Sequence, residues 1–242
     1  MTYRLDSDIP FNYGLFVPLQ HPNEEEMNKD RYSLKTKSAV WMVSNCDTAS
    51  HRDIYVSELQ KYIDVDIIGE CNKGKTSLDS ETIEICSRPV HVLATRNECL
   101  EFLSENYKFY LAFENSLCSD YVTEKFYRAA QLDLIPVVYN GVNMSRFAPP
   151  HSYISASDFD SPKALAQYLN QVSKDSALYN SYFWWKPHYR VENLWDKARY
   201  VRHFCSLCQI LHSEKAQIAK SYSNIDQFWE QQAHCHDGNL SY

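Results

Sequence analysis

Lys125 and Arg52 are the two cations of this 242-residue chain best placed to receive an anion, because each follows a strand-like run and opens a helix-like one. Residues 107–125 read YKFYLAFENSLCSDYVTEK. An aromatic, apolar run ends at Glu114-Asn115-Ser116; a polar elbow with helix-start signals at Asp120 and Thr123 follows, and Glu124 and Lys125 fall in the first helical turn. An anion at that turn meets a lysine ammonium and unpaired backbone N–H groups together. Arg52 stands in a similar place after AVWMVSN (39–45), where Ser44 and Asn45 can donate from the same rim. Side-chain charge and helix dipole add at both positions. The plain alternative is a solvated Glu124–Lys125 pair and a surface ion pair of Arg52 with Asp53 or Glu58.

The elements that would hold these groups are legible in outline. Buried strands are expected at 39–45, 65–69, 107–113 and 135–139. Helices are expected over 52–63, from a Thr95 cap to about 105, over 123–133, and from Ser161-Pro162 onward. Residues 74–89 read as a polar loop with a short strand near 82–85. The alternation predicts an α/β fold, a doubly wound and mostly parallel, Rossmann-like sheet whose ligand site lies at the carboxyl ends of its strands. No G-x-G-x-x-G follows a strand and the chain has 5 glycines, which disfavours a Gly-rich dinucleotide turn. Pro10, Pro18, Pro22 and Glu24-Glu25-Glu26 mark residues 1–36 as linker and irregular surface. Residues 37–186 form the expected binding domain and 187–242 a helical, cysteine-containing segment. The aromatic stretch YNSYFWWKPHYRVENLW reads as core rather than sugar-stacking surface. The helix beyond it should carry an apolar face at Trp195, Tyr200, Phe204, Leu207 and Leu211.

A net charge of −7 argues against a general nucleic-acid binder, so any phosphate site must be local. No apolar run reaches the roughly 20 residues needed to span a bilayer, and the N-terminal residues lack a signal-peptide core. Asp6-Ser7-Asp8 is a D-x-D triplet of the kind that holds a metal, but its proline-rich setting reads as a solvated turn. Of 8 cysteines, Cys205 and Cys208 form one C-x-x-C. Zinc there would need further ligands from His203, His212, His234 or His236. A thioredoxin-like pair is disfavoured because the motif lies within a helical stretch. Sequons at Asn143 and Asn239 fit a secretory lumen.

YKFYLAFENS followed by DYVTEKF resembles the donor-binding signature of the α1,3-fucosyltransferases. The likeness extends to SNC at Ser44 to Cys46, Arg52 with Tyr55, VDIIGEC, IPVVYNG, SRFAPPHSYI and DFDSPKALAQYL, in the family's order. The resemblance implies the donor-binding half of a two-Rossmann GT-B glycosyltransferase that inverts configuration and takes L-fucose from GDP-fucose to GlcNAc of an N-glycan or related glycoconjugate. It casts Lys125 and Arg52 as stabilisers of the departing diphosphate. Donor contacts fall to Ser44, Asn45, Arg52, Tyr110, Glu114, Asn115 and Ser116, and to Tyr121, Thr123, Glu124 and Lys125. No cofactor is required and a divalent metal is at most stimulatory.

The partners implied are GDP-fucose and a glycoprotein or glycolipid acceptor, with no nucleic acid. The resemblance places the full-length protein in the Golgi lumen, anchored in the Golgi membrane as a type II protein by an N-terminal segment that this chain is expected to lack. It also places the general base, and the cysteine partners of Cys205 and Cys208, in an absent acceptor domain. The alternative is a truncated or inactive lumenal protein that binds GDP-fucose without transfer.

Overall fold

The computed structural model describes residues 1–86, 97–194, 196–214 and 221–238. Strands β1 (Gly14–Pro18), β2 (Lys37–Met42), β3 (Val65–Ile68), β4 (Tyr107–Phe113), β5 (Ile135–Tyr139), β6 (Ile154–Ser155) and β7 (Tyr189–Asn193) are interspersed with eight α-helices among the described residues. These are α1 (Glu24–Met27), α2 (Arg52–Leu59), α3 (Ser80–Cys86), α4 (Glu98–Asn106), α5 (Glu124–Gln131), α6 (Pro162–Val172), α7 (Ser176–Ser181) and α8 (Lys197–Leu211). Five strands form one sheet in the order β3-β2-β4-β5-β6, and every neighbouring pair in it is parallel. From β2 the chain winds outward to β3, then returns across to β4 on the other side. The winding therefore reverses between β2 and β4, where open α/β sheets bind ligands.

Strand alternation sends side chains into two cores. Ala39, Trp41, Phe109, Leu111, Phe113 and Val137 pack with Tyr55, Val56 and Leu59 of α2 and Leu165, Leu169 and Val172 of α6. Val40, Tyr110, Ala112 and Val138 pack on the opposite face with Leu100 and Leu103 of α4 and Phe126, Tyr127 and Ala130 of α5. Both faces of β4 are covered, which is why its sequence is continuously apolar. Ser161 caps α6 by accepting from the Ala164 N–H at 3.2 Å, with Pro162 in the first turn.

Several local expectations change. Residues 1–36 hold α1 and β1, and β1 pairs antiparallel with β7 from Gly14 opposite Asn193 to Pro18 opposite Tyr189. The short strand expected near 82–85 is helical, as part of α3, because Asp79 accepts from the Thr82 N–H at 2.7 Å and starts a helix there. Thr95 lies outside the described residues, and α4 is capped by Asn97, which accepts from Cys99 N. The aromatic stretch is largely core, with Tyr179, Tyr182, Phe183 and Trp185 buried and Trp184 exposed. On α8, Phe204 and Leu211 are exposed; Trp195 and the side chain of Tyr200 lie outside the description.

Candidate functional site

The carboxyl ends of β2 and β4 are joined by the segment that opens α2. Ser50 donates from its N–H to Asn115 O at 3.1 Å and from its hydroxyl to Glu114 O at 2.7 Å. His51 turns the chain with φ 50°, and Arg52 begins the helix. The Arg52 guanidinium is buried, donating from Nη1 to Phe113 O at 2.7 Å and from Nη2 to Asn45 O at 2.8 Å. Its planar fork thus ties the end of β4 to the end of β2. Nε is buried without a hydrogen-bond partner. Burial opposes the charge and lowers the Arg52 pKa, with Glu114 acting against that shift. The alternative of a surface ion pair does not hold at a residue 3% exposed.

Glu114, 1% exposed, organises the start of α5. Its carboxylate accepts from the Thr123 N–H at 2.7 Å, from the Thr123 hydroxyl at 2.8 Å and from Lys125 Nζ at 3.1 Å. Thr123 occupies the N-cap position but makes no side-chain capping bond, because its hydroxyl is directed to Glu114. Phe126 N–H bonds back to Thr123 O at 3.2 Å and the Glu124 carboxylate takes its own backbone N–H, so an anion at the start of α5 would compete with Glu124 for that turn. Lys125 also donates to Thr123 Oγ1 at 2.8 Å and lies 3.3 Å from Glu124. Burial works against the Lys125 charge, yet Glu114 and Glu124 outweigh it and raise the pKa above the usual lysine range. Burial raises the Glu114 pKa, opposed by Lys125 and the Thr123 bonds. For Glu124 burial is the largest influence and acts upward, but Lys125 and Arg128 bring the net shift below the usual value.

These groups line a cleft of about 690 Å³ formed by Ser44, Asn45, Arg52, Tyr110, Asn115, Glu124 and Lys125. Glu114 and Thr123 are buried beside it. Glu70, Asn72, Thr82 and Arg128, none of them among the expected donor contacts, line the same cleft. Arg128 could have been found from spacing, since it lies three and four residues beyond Lys125 and Glu124 on one helix face. Its charge acts on the Tyr110 hydroxyl, whose pKa is raised by burial. Gly69, with φ 111°, lets β3 end against β2; a Cβ there would lie 2.5 Å from Val43 O.

Ser116 and Tyr121 instead line an adjoining cleft of about 620 Å³. Burial pushes the Tyr121 hydroxyl up to about 12, with Glu114 adding to the shift and Lys125 opposing it. A third cleft, about 710 Å³, gathers Lys29, Arg31, Lys35 and Lys186 around Asp133. It lies toward the opposite end of the sheet, near the starts of β4 and β5, and Asp133 there pairs with Lys29, Arg31 and Lys186.

Disulfides join Cys46 to Cys71, Cys86 to Cys99 and Cys118 to Cys235, while Cys205 and Cys208 are free and exposed on α8. Among the described residues no group of three or more His, Cys, Asp or Glu is arranged to hold a metal ion. Asp6 of the D-x-D triplet is exposed and accepts from Arg4 Nε at 2.8 Å. Asn143 is exposed, and its Oδ1 accepts from the Ser145 N–H at 3.1 Å; Asn239 lies outside the described residues. No described helix is long and apolar enough to cross a membrane.

Residues 32–229 match the model of glycosyltransferase family 10 (fucosyltransferase), C-terminal region. The chain is 38% identical to alpha-(1,3)-fucosyltransferase C of Drosophila melanogaster, an alignment covering 95% of this chain and 53% of that protein. It is also 38% identical to glycoprotein 3-alpha-L-fucosyltransferase A of the same organism, across 94% of this chain and 42% of the relative. The chain thus spans about half the length of the curated relatives it matches. A solved structure of an alpha1,3-fucosyltransferase with GDP-fucose superposes with a TM-score of 0.56 at 21% identity, covering 79% of this chain and 51% of that one, which shows a shared fold.

Proposed function

The chain belongs to glycosyltransferase family 10, the fucosyltransferases, and from that premise we propose that the cleft between β2, β4 and α5 holds GDP-fucose. In the same reading the whole protein transfers L-fucose to a GlcNAc hydroxyl of an N-glycan or related glycan in α1,3 linkage. The observation that carries the reading is Lys125 at the uncapped start of α5, in a cleft that Arg52 and Arg128 also line.

As the glycosidic bond breaks, negative charge accumulates on the departing diphosphate. A fixed ammonium at a helix N-terminus stabilises that charge more than it stabilises the intact donor. Glu124, on the same turn, suits the paired hydroxyls of a ribose. Arg52 sets the separation of the two strand ends and hence the width of the cleft. Inversion also needs a base to take the acceptor proton. In this reading the base comes from the part of the relatives' length that the chain does not span. The disulfides suit an oxidising lumen, in keeping with a Golgi setting and a membrane anchor in the full-length protein.

Because the positive charge is supplied by side chains and a helix terminus, donor binding requires no divalent metal. Calorimetric titration of GDP-fucose with and without EDTA tests this, and strict metal dependence contradicts it. Transfer to a GlcNAc-terminated glycan is then measured with the chain and with a version extended to the relatives' length. Turnover by the extended form alone is the expected result. Donor binding without turnover by either form is what the non-transferring alternative requires.

A further inference from the structure

The connection from β5 to β6 carries Asn143-Met144-Ser145, a motif that lines neither the cleft around Lys125 nor the one around Tyr121. A single 3-10 turn over Met144–Arg146 decides which way its residues face. Met144 is 4% exposed and packs with Phe147 and Ala148 in the core that also holds Phe126 of α5. With the middle residue turned inward as a plug, Asn143 and Ser145 on either side of it are exposed. The loop is also tied to the β4–α5 elbow. Gly141 lies so close to it that a Cβ would come 2.8 Å from Leu117 C, and Arg146 Nη1 donates to Asp120 Oδ1 at 3.0 Å. The Asn143 side chain closes an Asx turn: its Oδ1 accepts from the Ser145 N–H at 3.1 Å and from the Ser145 hydroxyl at 2.7 Å. No described residue accepts from Nδ2, so the amide nitrogen is left to solvent.

We propose that Asn143 is a modification site that carries an N-linked oligosaccharide, an inference that rests on the lumenal setting and not on the donor reading of the cleft. A branched oligosaccharide cannot be buried, so an occupied asparagine must face solvent in the folded chain, as this one does. In the transfer Nδ2 loses one proton and bonds to C1 of the sugar. The C1–O bond to the diphosphate of a lipid-linked oligosaccharide breaks, and the lipid diphosphate departs with that electron pair. Two donors on the amide oxygen stabilise the charge that gathers there as the nitrogen gives up its proton. The secretory lumen supplies the co-reactant, and the Cys46–Cys71, Cys86–Cys99 and Cys118–Cys235 disulfides suit the same compartment. The glycan then rises from the carboxyl end of β5, beside the two clefts and outside both.

The test sends the full chain through the secretory pathway of insect cells behind a cleavable signal peptide and maps the secreted protein by peptide mass spectrometry. Release in heavy-oxygen water, by a peptide N-glycosidase that tolerates core α1,3-fucose, marks each occupied asparagine by its conversion to aspartate. Most secreted chains should be marked at position 143. Asn143→Gln and Ser145→Ala should each abolish that mark and remove one glycan step in electrophoretic mobility, whereas Ser145→Thr, which keeps the hydroxyl, should retain both. The second sequon, at Asn239, lies on a separate peptide, and Asn239→Gln should leave the mark at 143 unchanged. An unmodified Asn143 in the secreted wild-type chain overturns the inference, as does a mark at 143 that survives Ser145→Ala. The wild-type map decides even where a variant fails to fold or to be secreted. GDP binding plays no part in this readout, so failure of the donor reading and failure of this inference are told apart.

Discussion

Lys125 Nζ lies 3.1 Å from a carboxylate oxygen of Glu114, a side chain 1% exposed, so that under the proposed donor reading this pairing ties GDP affinity to the stability of the fold. Lys125→Ala therefore has two consequences. It removes a charge-assisted contact to the donor diphosphate, which should cost about 1.5–3 kcal/mol of GDP binding. It also leaves Glu114 buried without its cation, lowering unfolding stability. Adding Glu114→Gln removes the orphaned charge, so the double variant should recover much of the stability and none of the affinity. Lys163→Ala, at an exposed position on α6, should change neither. Urea melts and GDP titrations on the same samples separate the two effects. Recovery of GDP affinity in the double variant would show that Lys125 acts only through Glu114.

Arg52→Lys probes the strut between β2 and β4. An ammonium lacks the planar fork that reaches Asn45 O and Phe113 O together. One carbonyl loses its partner, a cost of about 1–3 kcal/mol in urea unfolding, and GDP affinity should fall with it as the rim shifts. Lost affinity at unchanged stability would instead make Arg52 a direct ligand contact.

Lys35 gives the fold a pH dependence away from the cleft. It is buried, its Nζ donates to Ser104 O and to Tyr107 O at 2.9 Å, and burial lowers its pKa from 10.5 to about 7. A neutral amine still carries two N–H donors for those two carbonyls. Between the folded and unfolded pKa values the unfolded chain binds more protons, so this group makes stability rise with pH. The slope is up to about 1.4 kcal/mol per pH unit above pH 7, and the penalty is fully present below it. Lys35→Met should flatten the stability profile between pH 7 and 9 relative to wild type. Parallel profiles for the two proteins would contradict this.

The sheet was legible where burial on two faces leaves an unbroken apolar run, as in Tyr107–Phe113 and Ile135–Tyr139. Strand β1 was not, because its partner β7 lies far along the chain and antiparallel pairing at that separation has no local signature. Gly14 even reads as a loop residue, whereas it is needed for close packing: a Cβ there would lie 2.0 Å from the Tyr127 ring. Thr82, Ile83 and Ile85 suggested a strand, but the Asp79 cap decides for helix. Lys125 and Arg52 could be picked out because strand-to-helix elbows have local spacing. The division of Ser116 and Tyr121 from the other expected contacts depends on Tyr3 and Trp229, which only the folded chain brings beside them.

Where the nucleotide sits is tested most directly by a crystal structure of the chain with GDP in the presence of EDTA. The diphosphate should lie at the start of α5 within hydrogen-bond reach of Lys125 Nζ, with the ribose beside Glu124 and no metal between phosphate and protein. GDP bound in the cleft around Asp133, or a diphosphate that makes no contact with Lys125 or the α5 N–H groups, would contradict it.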